Sequence, residues 1–164
     1  MKELTAIRDA VLSAFKEAGI TALAAFPAER ARDYNGAVAA VAVDTAESKT
    51  VGFCNYLGEA WDEEAGTIKE FYGKRLDAAI SVEIRGPQAA ACNQGAEAAA
   101  EVLLGGLPSG IRPGELSWEG ICWEKETGMF LRRGRLQCQA VFVAKSSDAD
   151  PMFLDFILKG VLTT

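Results

Sequence analysis

A chain of 164 residues, 49% hydrophobic and 24% charged, has ordinary globular composition and is long enough to bury one real core. Its net charge of −6 argues against a surface built mainly to hold phosphate backbone. Histidine is absent, which removes the commonest general base, the Ser-His and Cys-His pairings and the commonest metal ligand.

The N-terminal Met-Lys-Glu-Leu-Thr-Ala-Ile-Arg-Asp carries charges where a signal peptide needs an apolar segment. No apolar run reaches the about 20 residues that span a bilayer. The expectation is a chain made and folded in a cytoplasm. Leu4, Ile7, Val11, Phe15 and Ala18 recur at helical spacing before Gly19, predicting an amphipathic helix over 5–18. Ile20 to Phe26 reads as a short strand ended by Pro27. Asn35-Gly36 marks a turn, and Ala37 to Asp44 reads as a strand. Thr45 to Thr50 is a polar loop, followed by a strand from Val51 to Leu57. Gly58 to Gly66, with Asp62, Glu63 and Glu64, is an exposed loop or hairpin tip.

From Ile68 the chain leads into a strand ending at Arg85. Alternation places Leu76, Ala78, Ile80, Val82 and Ile84 on one face. Gly86-Pro87 breaks it, and Gln88 to Leu104 is a second helix, rich in alanine. Gly95 near its middle costs about 1 kcal/mol relative to Ala, for which a close approach to the sheet would compensate. Gly105 to Gly114 is a turn, and Leu116 to Glu124 a strand. In that strand Trp118 and Trp123 share a face only if a bulge near Gly120 shifts the register. Met129 to Ala144 is a long strand with Leu136, Cys138, Ala140 and Phe142 on one side. Met152 to Leu162 is a last strand, apolar on both faces. The order predicts a single α+β domain over 1–164: an antiparallel or mixed β-sheet with two helices packed on one face.

Chemistry is sparse. Cys54, Cys92, Cys122 and Cys138 are widely spaced, without a Cys-x-x-Cys pair, so they read as reduced, buried small hydrophobes rather than a zinc site. Gly105-Gly-Leu-Pro-Ser-Gly110 lacks the Lys-Ser/Thr ending of a phosphate loop and follows a helix. Ser13-Ala-Phe-Lys16 matches a Ser-x-x-Lys nucleophile pattern but sits in an ordinary amphipathic helix with no companion motif. Asp62, Glu63 and Glu64 share one solvated environment, whereas acid–base catalysis needs two carboxylates in different ones. No catalytic residue, metal or cofactor is expected.

Two features point to contacts instead. Arg132, Arg133 and Arg135 form the one dense basic cluster. It is either a solvated edge that discourages strand pairing or a contact with an acidic neighbouring subunit or nucleic acid. The last strand, with Phe153, Phe156, Ile157 and Val161, must be central in the sheet or covered by a neighbouring subunit.

Tyr56-Leu-Gly-Glu, Glu70-Phe-Tyr-Gly-Lys-Arg with its following strand, Leu116-Ser-Trp-Glu, Gly128-Met-Phe-Leu-Arg-Arg and Phe153-Leu-Asp-Phe-Ile-Leu-Lys-Gly together resemble the tail terminator, or tail-completion, proteins of bacteriophages and prophages. The likeness covers about two-thirds of the chain and carries no catalytic signature. It implies an α+β subunit of the virion tail, assembled in the host cytoplasm, that closes with its copies into a hexameric ring. Such a ring stops tail-tube growth and presents the surface to which the head attaches. Its partners would be itself, the tail tube protein and a head-completion protein, with DNA passing through unbound and no membrane involved. Arg132, Arg133, Arg135, Phe153, Phe156, Ile157 and Val161 are the expected subunit-interface residues. Two other readings stay open: another head–tail connector or minor capsid protein, and a small cytoplasmic enzyme or ligand-binding domain.

Overall fold

The structure, a computed structural model, describes residues 2–50, 55–145 and 155–160. Helix α1 spans Lys2–Glu17 and helix α2 Ala89–Gly105. The strands are β1 (Thr21–Leu23), β2 (Val38–Lys49), β3 (Tyr56–Asp62), β4 (Thr67–Gly86), β5 (Ile111–Trp118), β6 (Cys122–Glu124), β7 (Met129–Lys145) and β8 (Asp155–Leu158). The main path through the sheet is β1-β2-β4-β7-β5, with β3 on β4 and both β6 and β8 on β7. Only β1 and β2 run parallel; the other pairings are antiparallel. The fold is therefore α+β with a mixed sheet, as the pattern of elements predicts.

Both helices lie on one face. Ile7, Val11 and Phe15 of α1, and Cys92, Ala96, Ala99 and Leu103 of α2, join one buried cluster with Leu76, Ala78, Ile80, Val82 and Ile84. Leu136, Cys138, Ala140 and Phe142 of β7 complete it. The close approach of α2 is real: a Cβ built on Gly95 would meet Ala37 Cβ at 2.6 Å and Ile84 Cγ2 at 3.0 Å. The register also settles the two tryptophans. Trp118 lies opposite Gly134 and Trp123 opposite Phe130, both even-numbered positions of β7, because the strand breaks between them. Trp118 fills the space above Gly134, where a Cβ would come within 2.6 Å of the indole.

Several boundaries differ from expectation. The stretch 45–49 is strand rather than loop: a bulge between Val43 and Thr45 restores alternation, leaving Glu47 on the solvated side. The segment read as a glycine- and proline-rich turn already contains the start of β5, whose edge tolerates Pro113 and Gly114 at a second bulge. One strand over 116–124 becomes β5 and β6. Residues 56–62 form β3, so the turn at the tip is only four residues long. The expected strand over 51–57 begins outside the described residues. Cys122 is exposed, not buried, because β6 is a three-residue edge strand; Cys92 and Cys138 are buried, and Cys54 lies outside the described residues.

Two outcomes are expected. Gly95→Ala gains about 1 kcal/mol of helix propensity but overpacks a rigid contact at a cost of roughly 1–3 kcal/mol, so its urea midpoint is expected to fall. A rise would show that the helix can lift off the sheet freely. For the thiols, Cys122 is expected to react with maleimide in the native protein, while Cys92 and Cys138 wait for unfolding. Burial pushes the Cys138 thiol up to about 11 and raises that of Cys92 as well, and peptide mapping reads each site.

Candidate functional site

Among the described residues the half of β4 before Gly73 pairs with β3 alone, making a projecting hairpin. Of the large hydrophobics exposed among the described residues, Tyr56, Trp61, Ile68, Phe71 and Tyr72 all lie here; the others are Leu104 and Trp123. Trp61 (63% exposed) and Ile68 (57%) sit directly opposite each other next to the tip. Single exposed hydrophobics need no explanation, but a contiguous group at the end of a projection does.

Ladder register sorts the hairpin into two faces. Tyr56 faces Tyr72, Glu59 faces Glu70 and Trp61 faces Ile68 on one side. A bulge at Gly58, whose φ of +126° suits glycine, keeps Tyr56 in phase with the rest. Phe71 lies on the other side, with Lys69 and Ala60. Glu59 and Glu70 are like charges directly opposite each other, an arrangement that destabilises a ladder. Among the described residues the only hydrogen bond to this pair comes from the Tyr72 hydroxyl, which donates to Glu70 at 2.6 Å. Desolvation first, then the carboxylates of Glu59 and Glu70, raise the Tyr56 phenol above its ordinary value.

The tip itself is structural. Asp62 accepts hydrogen bonds from the backbone N–H groups of Glu64 (3.0 Å) and Ala65 (3.2 Å) and pairs with Lys69. Lys69, then the Ala65 N–H, hold its carboxyl below the usual range. Glu63 and Glu64 are exposed on the turn.

The Phe71 face runs on into the sheet face that no helix covers. At the base of the hairpin Leu57, Gly58, Phe71, Val141 and Val143 line a groove of about 490 Å³, with Glu59 and Lys159 among its walls. Lys159 donates its backbone N–H to Val141, and Ile157 pairs with Val143. One row further along β7, Arg112 lies opposite Gln139. Neither the Arg112 nor the Lys159 side chain has an ionic or hydrogen-bonding partner among the described residues. A second cleft of about 360 Å³ lies between Asp77, Arg112, Gln137 and Gln139. Its carboxylate is already engaged by Lys49 at 2.6 Å and Arg75 at 3.3 Å.

Each residue expected at an interface now has a place. Strand alternation splits the arginine cluster. Arg132 turns to the helical side, donating to Asn93 of α2 at 2.9 Å and to the Glu119 carbonyl at 3.0 Å. Arg133 and Arg135 take the open face, where Arg133 meets Glu83 at 3.2 Å and Arg135 has no partner among the described residues. Phe156 and Ile157 belong to β8, which pairs with β7 alone among the described strands and so is not central. Phe153 and Val161 lie outside the described residues. Sequence reasoning missed Trp61, Ile68 and the groove. A signal was present, since Trp61 and Ile68 flank an acidic tip with no apolar partner in reach.

At the far end of the sheet charge is resolved inside the subunit. Buried Arg85 makes a fork to Glu124 (2.8 and 3.0 Å), reaches Glu83 at 2.8 Å, and lies 4.8 Å from the Phe26 ring centre. Burial alone would lower its pKa; the bonds to Glu124 and Glu83 more than offset this, and it is raised. Arg85 and then Thr127 hold Glu124 below its ordinary 4.5.

No protein-family signature matches the chain, and no characterised protein is significantly similar to it.

Because Glu124 has a depressed pKa in the folded state, the stability it adds is fully present above its unfolded value and is lost as pH falls through the folded one. Glu124→Gln is expected to cost about 1.5–3 kcal/mol near neutral pH. It should also flatten the loss of stability on acidification below about pH 4.5, measured by urea unfolding across pH. An unchanged acid limb would remove Glu124 from that role.

Proposed function

We propose that the chain is a structural subunit of a phage or prophage tail that assembles with its own copies into a ring, caps the tail tube and offers the surface for head attachment. The observation that carries self-assembly is the hairpin, whose exposed aromatic and aliphatic side chains add nothing to the subunit's own core. Two of the stretches that resemble tail terminators, Tyr56-Leu-Gly-Glu and Glu70-Phe-Tyr-Gly-Lys-Arg, lie in this hairpin and its base. A capping subunit needs a rigid body, an adhesive projection and no chemistry of its own. The net charge of −6 suits a ring through which DNA passes without being held. Hexameric closure, and the tail tube and head-completion proteins as partners, come from the resemblance; a head-to-tail contact closes only if its rotation permits.

Purified protein added to growing tail tubes is expected to sit on tube ends in electron micrographs and to limit their length. A chain that stays monomeric and also leaves tube ends bare would end this reading. Trp61→Ser is expected to leave subunit stability within about 0.5 kcal/mol, as for other exposed positions. It should weaken ring assembly at least about tenfold, as loss of an interface anchor does. Equal loss of folding stability would instead place Trp61 in the subunit's own packing.

A further inference from the structure

The hairpin and the groove complement each other in chemistry and in spacing. On the hairpin, the Glu59–Glu70 pair and the Trp61–Ile68 pair are two residues apart on one face, about 7 Å. On the open face, successive rows along β7 are Gln139 with Arg112, Val141 with Lys159, and Val143 with Ile157, again about 7 Å apart. One surface thus presents an apolar pair beside two unneutralised carboxylates. The other presents a mainly apolar groove, with Glu59 at its edge, beside two cations whose side chains have no partner among the described residues.

We propose that the Trp61–Glu70 face of the hairpin seats in the groove of a second copy of this chain. Trp61 and Ile68 enter between Leu57, Phe71, Val141 and Val143, and Glu59 and Glu70 meet Arg112 and Lys159. This deepens the ring reading above and rests on it. Within one subunit the two surfaces adjoin only at Glu59, which also borders the groove; Ile68 and Glu70 cannot turn into it. Ile68, Glu70 and Tyr72 lie on one face of β4, and Phe71 at the mouth of the groove lies on the other. The contact is therefore between subunits and head-to-tail, the kind that generates rings. It also accounts for the like-charge pair. The strand carboxylates Asp77, Glu83 and Glu124 find cations within the subunit, and Asp44 and Glu115 stand singly without one among the described residues, whereas Glu59 and Glu70 face each other and find theirs across the interface.

Charge exchange tests this. Hairpin variant Glu59→Arg/Glu70→Arg and groove variant Arg112→Glu/Lys159→Glu are each expected to lose association at least tenfold relative to wild type, by light scattering over a concentration series. Circular dichroism should show both folded. Mixed one to one, they are expected to recover assembly, because each hairpin then meets a groove of opposite charge and the copies alternate around an even-numbered ring. The proposal is overturned if either variant alone associates as wild type does, if the mixture assembles no better than its components, or if wild type stays monomeric to about 1 mM. Rings that obey the exchange but leave tail tubes uncapped would keep this contact and remove the tail reading. Rings that cap tubes and ignore the exchange would do the reverse.

Discussion

Burial of one face of β4 is the constraint on which the rest of the molecule hangs. Leu76, Ala78, Ile80, Val82 and Ile84 alternate along it and are at most 3% exposed. Each large side chain buried in this way contributes roughly 1.5–3 kcal/mol against the entropy of ordering the chain. The strand receives β2 on one edge and β7 on the other over the same residues. Helix α2 completes the burial because its contact face is made of small groups, Cys92, Gly95, Ala96 and Ala99. A bulkier helix would stand further off and leave voids above Ile84.

The same strand explains the hairpin. Before Gly73, β4 keeps only β3 as a partner among the described residues. A two-stranded ribbon alone is marginal in water, so the buried half of β4 is what holds the exposed half in place. Continuity of the strand carries Trp61 and Ile68 away from the body, where among the described residues they face only each other across the ladder. Charge follows the same division. Arg85 and Arg133 neutralise Glu83 and Glu124 in the body, while Glu59 and Glu70 face each other on the projection. Like charges also face each other at Lys49 and Arg75, but there both lie against Asp77; no cation among the described residues bridges Glu59 and Glu70 in that way.

Much of this fold is legible without coordinates, because solvent imposes a period on any element with one wet face. Period two in 76–84 and 136–142 and period 3.6 in 4–18 named the core residues, the two helices and the face they share. The glycine inside α2 announced a close approach, and the structure puts that approach against Ala37 and Ile84. Composition disposed of histidine chemistry in a single count. Boundaries were less legible where a strand is polar on one side and bulged, as over 45–49, or where proline and glycine sit at an edge, as at Pro113 and Gly114. In both places the local signal for a turn is the same as the signal for an irregular edge, and pairing decides between them.

What tertiary structure alone decided is which residues come together. Arg132, Arg133 and Arg135 are one cluster in sequence but lie on two faces of a sheet, since adjacent strand positions point apart. Leu57, Phe71, Val141 and Lys159 are scattered through the sequence yet line one groove. Trp61 and Ile68 look like core residues by type, yet no third strand or helix among the described residues covers them, and they lie at the surface. The sequence by itself determined which side chains must leave water and with what period, because that depends on each residue and its near neighbours. The distribution of partners among those side chains depends on register between strands distant in sequence, and register is settled only when the whole sheet pairs.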